Sequence, residues 1–337
     1  MKLHEIGEFG WIEHIQRRFK SSNINIPLGI GDDAAAIRAT PQSDSLLTTD
    51  TLIEETHFSL AYSSFEQVGL KAVAVNVSDI AAMGGHSRAL LISLGVPGKL
   101  DMDDLNRLYR GIAKGCKKTG IEVIGGNTAR TSGPFFITIT LFGEVLKKEM
   151  LTRSGAKTGD LIYVTGTLGD AAAGLDILKN RMNRRSFTTL VRRHQTPEAR
   201  CEAGCLLGAE KIPSAMIDLS DGLTADLRHI MRASRVGAEL VSAEIPLSPA
   251  LKRYARQLQK DARDFALYGG EDYELLFSVP QKKEKKLVRL IKNGLIQARR
   301  IGRILPEKEG FVLKTADGET RTIAPKGYDH FLPQTTF

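Results

Sequence analysis

The chain has 337 residues, 42% of them hydrophobic and 26% charged, which is the composition of a folded globular protein and sets disorder and fibrous repeats aside. That length allows about two domains, and no apolar run approaches the ~18 residues that a membrane helix needs. The net charge of +8 and the pI near 9.3 raise nucleic acid as a partner. Yet the basic residues gather in "KNRMNRR", "VRRH", "KKEKK" and "QARRIGR" with little aromatic interleaving. Such runs read as solvated faces and as a field that attracts anionic small molecules. The opening "MKLHEIGEFGWIEHIQRRF" carries charge where a signal peptide needs an apolar core, so no leader is expected. Three cysteines, Cys116, Cys201 and Cys205, make no disulfide framework and fit a reducing cytoplasm. Cys201 and Cys205, four apart and downstream of His194, read as one buried helix face rather than a zinc site.

The first elements alternate in period. "DSLLTTDTLI" predicts a strand and "FEQVGLKAVAVNVSDIAAMG" a long helix, apolar nearly all round and therefore buried. "ALLISLGV" predicts a strand, and "MDDLNRLYRGIAKGCKKTG" an amphipathic helix closing on Gly120. "IEVIGG" and "FFITITLFGEV" predict two more strands, giving β-α-β-α-β-β, an α/β or α+β sheet covered by helices. The pattern pauses between Lys147 and Ser154. A second round begins with "GDLIYVTGTLGDAAAGLDIL", a strand, a glycine loop and a helix. A long helical stretch from "SFTTLVRRH" to "EAGCLLGAE" leads to "AMIDLSDGLTADLRHIMRAS"; "YELLFSV" and "KKEKKLVRLIKNG" add a strand and a helix. These breaks place one domain over residues 1–148, a second over 149–305 and a tail over 306–337.

Acidic residues recur at the ends of these apolar segments. "GIGDDAA" fits a loose dinucleotide pattern, but Asp32 and Asp33 would set two negative charges against a pyrophosphate. A tight turn capped by Asp explains the stretch taken alone. "TTDT" ends a strand with two hydroxyls and Asp50, which is either a turn or the rim of a site. Asn76 and Asp79 stand three apart on one stripe of the apolar helix; the competing reading makes Ser78 or Asp79 the N-cap of a second, shorter helix. "IDLSDGL" sets Asp218 and Asp221 at a strand end, where Asp221 alone can be a helix cap. "YGGEDYELLF" brings Glu271 and Asp272 after a glycine turn, either a hairpin start or a further acidic group. Together, five or six acids flanked by small residues predict one pocket filled by divalent cations. A donor set of oxygens alone favours Mg²⁺, which commonly holds substrate phosphates as well. No Walker A pattern, protein-kinase signature or G-x-S-x-G elbow is present.

The order and spacing of "GIGDDAA", "TTDTLIEETHF", "KAVAVNVSDIAAMGG", "GGNT", "LTRSGAKTGDLIYVTGTLGDAAAGL", "IDLSDGLTADL", "GGEDYELLF" and "KGYDHF" resemble the thiamine-monophosphate kinase family over roughly residues 5–331. That family lies within the aminoimidazole ribonucleotide synthetase-like superfamily. The resemblance implies a two-domain α/β fold whose N-terminal sheet forms a barrel in a homodimer. It also implies an ATP- and Mg²⁺-dependent phosphorylation of thiamine monophosphate to thiamine diphosphate. Carried over by position, it implies metal ligands at Asp33, Thr48, Thr49, Asp50, Asp79, Asp218 and Asp221. Nucleotide contacts fall on Gly126, Asn127, Arg153 and Ser220, and thiamine-phosphate contacts on His57, Glu271 and Tyr328, the last in the tail. Asp50, Asp79, Arg153 and Asp218 are the residues implied for the phosphoryl transfer itself. The family's turn is Gly-Gly-Asp-Thr, whereas this chain carries Asn127, assigned here to a metal with one charge fewer. The resemblance alone selects thiamine; the residues by themselves lead to multi-Mg²⁺ phosphate chemistry.

Overall fold

The structure is a computed structural model that describes residues 14–19, 25–26, 37–38, 40–315, 317–324 and 326–328. The "GIGDDAA" stretch, with Asp33, lies outside the described residues. Two compact units emerge: one takes in the chain up to Ile80 and Gly85–Lys148, the other Ala81–Gly84 and everything from Glu149 onward.

The first unit is built on a four-stranded sheet of β1 (Ser43–Ile53), β2 (His86–Pro97), β3 (Glu122–Thr131) and β4 (Phe136–Leu146), in the order β1-β4-β2-β3. β4 runs antiparallel to both its neighbours, and β2 and β3 are parallel. Helices α1 (Phe65–Ala82) and α2 (Met102–Thr119) supply the crossovers. α2 begins at a capping box, where the Asp101 carboxylate accepts from the backbone N–H groups of Asp103 and Asp104, and it stops at Gly120 in the left-handed conformation. Its apolar stripe, Leu105, Leu108, Ile112 and Cys116, is buried. Small residues let the two helices meet backbone to backbone: a Cβ on Gly111 would stand 2.0 Å from the Glu66 carbonyl oxygen. Alternation along β1 buries Leu46 and Leu52 on one face and leaves Leu47, on the other, 73% exposed.

The second unit holds a seven-stranded sheet in the order β11-β10-β7-β9-β5-β8-β6. Its strands are β5 (Leu161–Thr165), β6 (Ala215–Asp218), β7 (Val236–Val241), β8 (Leu275–Val279), β9 (Ala298–Pro306), β10 (Phe311–Lys314) and β11 (Thr320–Thr322). Only β7 and β10 are paired in parallel. Both faces are covered. Ile162, Val164, Ile217 and Leu276 join one core with Leu223, Leu227 and Ile230 of α6 (Leu223–Ser234). Tyr163, Met216, Leu275 and Phe277 join another with Leu207 of α5 (Cys201–Ala209) and Leu287 of α9 (Gln281–Lys292). Burial on both sides explains why these strands read as unbroken apolar runs instead of alternating ones. Three shorter helices, α3 (Asp170–Lys179), α7 (Pro249–Gln257) and α8 (Ala262–Tyr268), close a third cluster with α4 (Thr188–Gln195).

Two sequence expectations change. The stretch expected to be one long helix is two, α4 and α5, because Pro197 lacks the N–H that an uninterrupted helix would use there. The "GGNT" segment expected as a turn is strand: β3 continues through Thr131, paired with β2 along its length. Glycine permits this. A Cβ on Gly126 would fall 2.0 Å from the Ile92 carbonyl oxygen, so only a bare Cα allows β2 to come so close.

Candidate active site

In the first unit the acids stand where β1 meets α1. Thr48 and Asp50 share the helix-facing side of β1 with Leu46 and Leu52, as residues two apart must. α1 runs unbroken through Ser78 and Asp79, so neither is an N-cap. The Thr48 hydroxyl donates to Asp79 Oδ2 at 2.5 Å, and the Asp50 N–H donates to Asn76 Oδ1 at 3.1 Å. Asn76 is buried and returns its amide to the Ala72 carbonyl at 3.0 Å. The stripe seen in the sequence is therefore a clamp in which Asn76 fixes the strand and Asp79 presents a carboxylate beside Thr48.

Sheet register separates other residues from this group. Asp50, Ile139, Ile92 and Gly126 form one row across the four strands, on the helix side. Thr51, Thr138, Ser93 and Asn127 form the next row, on the open side. Thr49 also points to the open side, where its hydroxyl lies 3.2 Å from that of Thr140. Thr49 and Asn127 thus do not share a face with Asp50 and Thr48.

His57 follows β1 in a tight loop. Its N–H donates to the Ile53 carbonyl at 2.9 Å, and its ring Nδ1 accepts the Ile53 N–H at 3.1 Å. An accepting Nδ1 assigns the ring proton to Nε2.

In the second unit three distant segments converge. β6 ends on Asp218, which is buried, and the loop after it carries Ser220 and Asp221. The Glu271 N–H donates to the Ser220 carbonyl at 2.7 Å, and Tyr273 N–H to that of Leu219 at 2.8 Å. The chain's last described residues dock on the same loop, Tyr328 N–H donating to the Asp221 carbonyl at 3.1 Å. Thr224 fastens them by donating its hydroxyl to the Lys326 carbonyl at 2.7 Å. Burial, then the charges of Glu271 and Asp221, push the Tyr328 hydroxyl up from its ordinary value. Asp218, Ser220, Asp221, Glu271 and Tyr328 are thereby brought together. Arg153 sits on an exposed loop stapled to the end of α6, where Ser234 Oγ accepts from Gly155 N–H at 3.1 Å.

Asp221 does not cap α6, whose N-cap is Gly222 with no side-chain cap bond. The buried Asp226 carboxylate, in the first turn, instead pins the preceding loop by accepting from the N–H groups of Asp221 at 3.1 Å and Gly222 at 3.0 Å. Asp221, Asp226 and His229 can each aim a ligand atom within 4.8 Å of the others. Burial, then the charges of Asp221 and Asp218, hold the Asp226 carboxyl well above the usual range. Burial and the neighbouring Arg153 lower the His229 imidazole. Crowded carboxylates of this kind suit a divalent cation. Sequence reading missed Asp226 and His229, although their three-residue spacing on the helix that begins just after Asp221 carries the signal.

The acids of "GGEDYE" divide their work. Asp272 is buried and caps α3, accepting from Gly169 N–H at 2.7 Å. Glu274 is 0% exposed and accepts from Arg193 at 2.6 Å, from Arg200 Nε at 2.6 Å and from the Thr165 hydroxyl at 2.6 Å. Glu271 holds a positive φ of 67° and lies 2.8 Å from the buried His194 ring. Only Glu271 of the three is left partly exposed beside Asp221 and Tyr328. Its strained backbone fits a residue held for function.

Comparison with known proteins accords with this architecture. Residues 31–145 match the family described as AIR synthase related protein, N-terminal domain, and residues 157–314 match its C-terminal domain. These two matches define the class, a two-domain mixed α/β protein with one sheet in each unit. Within that class the chain belongs to the thiamine-monophosphate kinase family. It is 38% identical over 335 residues to thiamine-monophosphate kinase of Aquifex aeolicus (strain VF5), covering 98% of this chain and 100% of that protein. The crystal structure of thiamine-monophosphate kinase from Stenotrophomonas maltophilia K279a is similar with a TM-score of 0.81 at 34% identity, over 93% of this chain and 98% of that one. A further structure, AaThiL complexed with AMPPCP and TMP, gives a TM-score of 0.77 at 36% identity over 98% and 99% of the two chains.

Proposed function

We propose that the chain is a thiamine-phosphate kinase, moving the γ-phosphate of ATP onto thiamine monophosphate by direct in-line transfer to give thiamine diphosphate. The observation that carries this reading is the near full-length likeness to a solved kinase held with AMPPCP and TMP. The chain's own residues support the chemistry. Both acidic groups offer oxygen donors, Thr48, Asp50 and Asp79 in one unit and Asp218 and Asp221 in the other. That donor set favours Mg²⁺ or a similarly hard ion over a thiophilic one.

The acceptor is a phosphate monoester, anionic at neutral pH, so no general base is needed. The difficulty is repulsion between two anions; Mg²⁺ held by Asp50, Asp79, Asp218 and Asp221 would supply the charge that offsets it. Arg153 supplies a guanidinium for charge developing on the transferred group. Ser220 and the main chain around Gly126 offer hydrogen bonds for the nucleotide. On the acceptor side, Glu271 and the ring of Tyr328 suit the cationic thiazolium of thiamine, and His57 presents Nε2–H to an oxygen.

The open face of the first unit's sheet carries Leu47, Leu91 and Leu146, which are 73%, 39% and 49% exposed, among the hydroxyls of Thr49, Thr51, Thr138 and Thr140. We assign this face to a second copy of the chain in a homodimer. Any metal or nucleotide contact of Thr49 and Asn127 is then made at that covered face. A coupled assay for ADP release, with thiamine monophosphate present and omitted and the product identified by chromatography, tests the proposed reaction. ADP formed equally without the acceptor overturns it.

A further inference from the structure

Lys71 is a lysine that the chain keeps almost wholly out of water, at 2% exposure, in a helix whose neighbouring interior residues are Val68, Ala72 and Val75. Burying an ammonium costs several kcal/mol unless hydrogen bonds compensate it. Its Nζ donates to the main-chain carbonyl of His57 at 3.0 Å. That carbonyl belongs to a loop held at its start by Phe135, whose carbonyl accepts from Glu54 N–H at 2.9 Å and whose N–H donates to Glu54 Oε2 at 3.3 Å. Beyond that, the loop is closed largely by its own short contacts. Thr56 and His57 N–H both reach the Ile53 carbonyl, Glu55 N–H donates to that of Phe58 at 2.7 Å, and Ser59 Oγ donates to Glu55 at 2.7 Å. Glu55 takes a positive φ of 66° inside this turn. The Lys71 ammonium is thus a charged anchor that reaches this loop from outside it, at the main chain of the residue assigned to the acceptor.

We propose that Lys71 is a positioning residue for acceptor recognition: its buried ammonium fixes the His57 main chain, so that Ile53 N–H meets Nδ1 and Nε2 keeps the ring proton for the substrate. The substrate assignment rests on the function proposed above; the effect on the His57 ring does not. A charged donor lost from such a contact is worth about a tenfold change or more.

Lys71→Met keeps the apolar stem and removes the donor. KM for thiamine monophosphate is expected to rise about tenfold or more, with KM for ATP unchanged within about twofold. A purely structural lysine would instead lower the melting temperature and kcat together and leave both KM values alone, which overturns the proposal. The double variant Lys71→Met/His57→Ala is expected to be no worse for the acceptor than His57→Ala alone, because the lysine acts through the histidine. Additive losses overturn it. The ¹⁵N shifts of the His57 ring in the protein without substrate give a readout free of any assumed reaction. The wild type is expected to hold one Nε2–H tautomer, and Lys71→Met to show averaged shifts; identical spectra overturn the proposal. If Lys71→Met does not fold, Lys71→Gln, which keeps a neutral donor, takes its place in the same measurements. Wild-type protein that forms no thiamine diphosphate defeats the proposed reaction, while the ring spectra still decide the role of Lys71.

Discussion

Asp79→Asn separates a structural carboxylate from a metal-binding one. The side chain keeps its shape, and its amide oxygen can still accept from the Thr48 hydroxyl, which now stands 2.5 Å from Oδ2. Neighbours Val75, Val77 and Ile80 are 3%, 1% and 2% exposed and hold α1 in place without it. The cost in stability is then that of weakening one hydrogen bond, about 0.5–1.5 kcal/mol. Removing the charge acts on the reaction instead. One preorganised electrostatic contact in a closed site is worth about 10²–10³ in rate, or roughly 3–4 kcal/mol of barrier. The expected result is a kcat lower by that factor with a higher Mg²⁺ requirement, and a melting temperature in chelator close to wild type. Steady-state ADP release across a Mg²⁺ series, paired with thermal unfolding, measures both. A folded variant with kcat within about threefold of wild type at equal Mg²⁺ refutes the reasoning.

Three other expectations follow from the second unit and the edge strand. Glu274→Ala leaves Arg193 and Arg200 without their shared carboxylate, and urea unfolding should show a loss of about 3–5 kcal/mol; less than about 1 kcal/mol would show that the arginines reach water. Burial holds the Asp272 carboxyl well above the usual range, so the folded protein keeps a proton that the unfolded chain releases above about pH 4. Wild-type stability therefore declines from that pH up to the raised folded value. Asp272→Asn should gain on wild type as pH rises through this window, and a stability difference flat with pH contradicts the shift. Asn127→Asp should lower the Mg²⁺ needed for half-maximal rate; superimposed activation curves would leave Asn127 a strand residue with no metal role.

Periodicity made much of the fold legible. α2 is bounded where its cap residues lie, and the β-α-β-α-β-β order of the first unit is read directly from alternating periods. Pro197 was legible as well, yet the surrounding helical propensity masked the break. The site was legible only where sequence spacing equals spatial spacing, as with Asn76 and Asp79 on one helix stripe. Facing across a sheet is different. That Asn127 joins the row of Thr51 while Gly126 joins that of Asp50 depends on register with β2 and β4, which a single strand does not encode. Nor does "GGEDYE" reveal which acid is spent on a helix cap, which on two arginines and which stays available. Those assignments are made by Gly169, Arg193 and Arg200, all more than 70 positions away.

The placement of β9 has a consequence for how the chain is made. β9 is built from residues 298–306 yet lies in the interior of its sheet, hydrogen-bonded to β5 on one side and β7 on the other. All four strands of the first unit's sheet have been synthesised once Leu146 is added, so that sheet can form while the rest of the chain is made. β7 has no neighbour that precedes it in the chain, since both of its ladders are to β9 and β10. Through the whole interval in which residues 242–297 are being added, a nascent chain therefore carries an unpaired apolar strand. Synthesis of residues 242–297 is therefore a stretch of translation in which the polypeptide needs protection, and a message truncated within it leaves β7 without either of its partners.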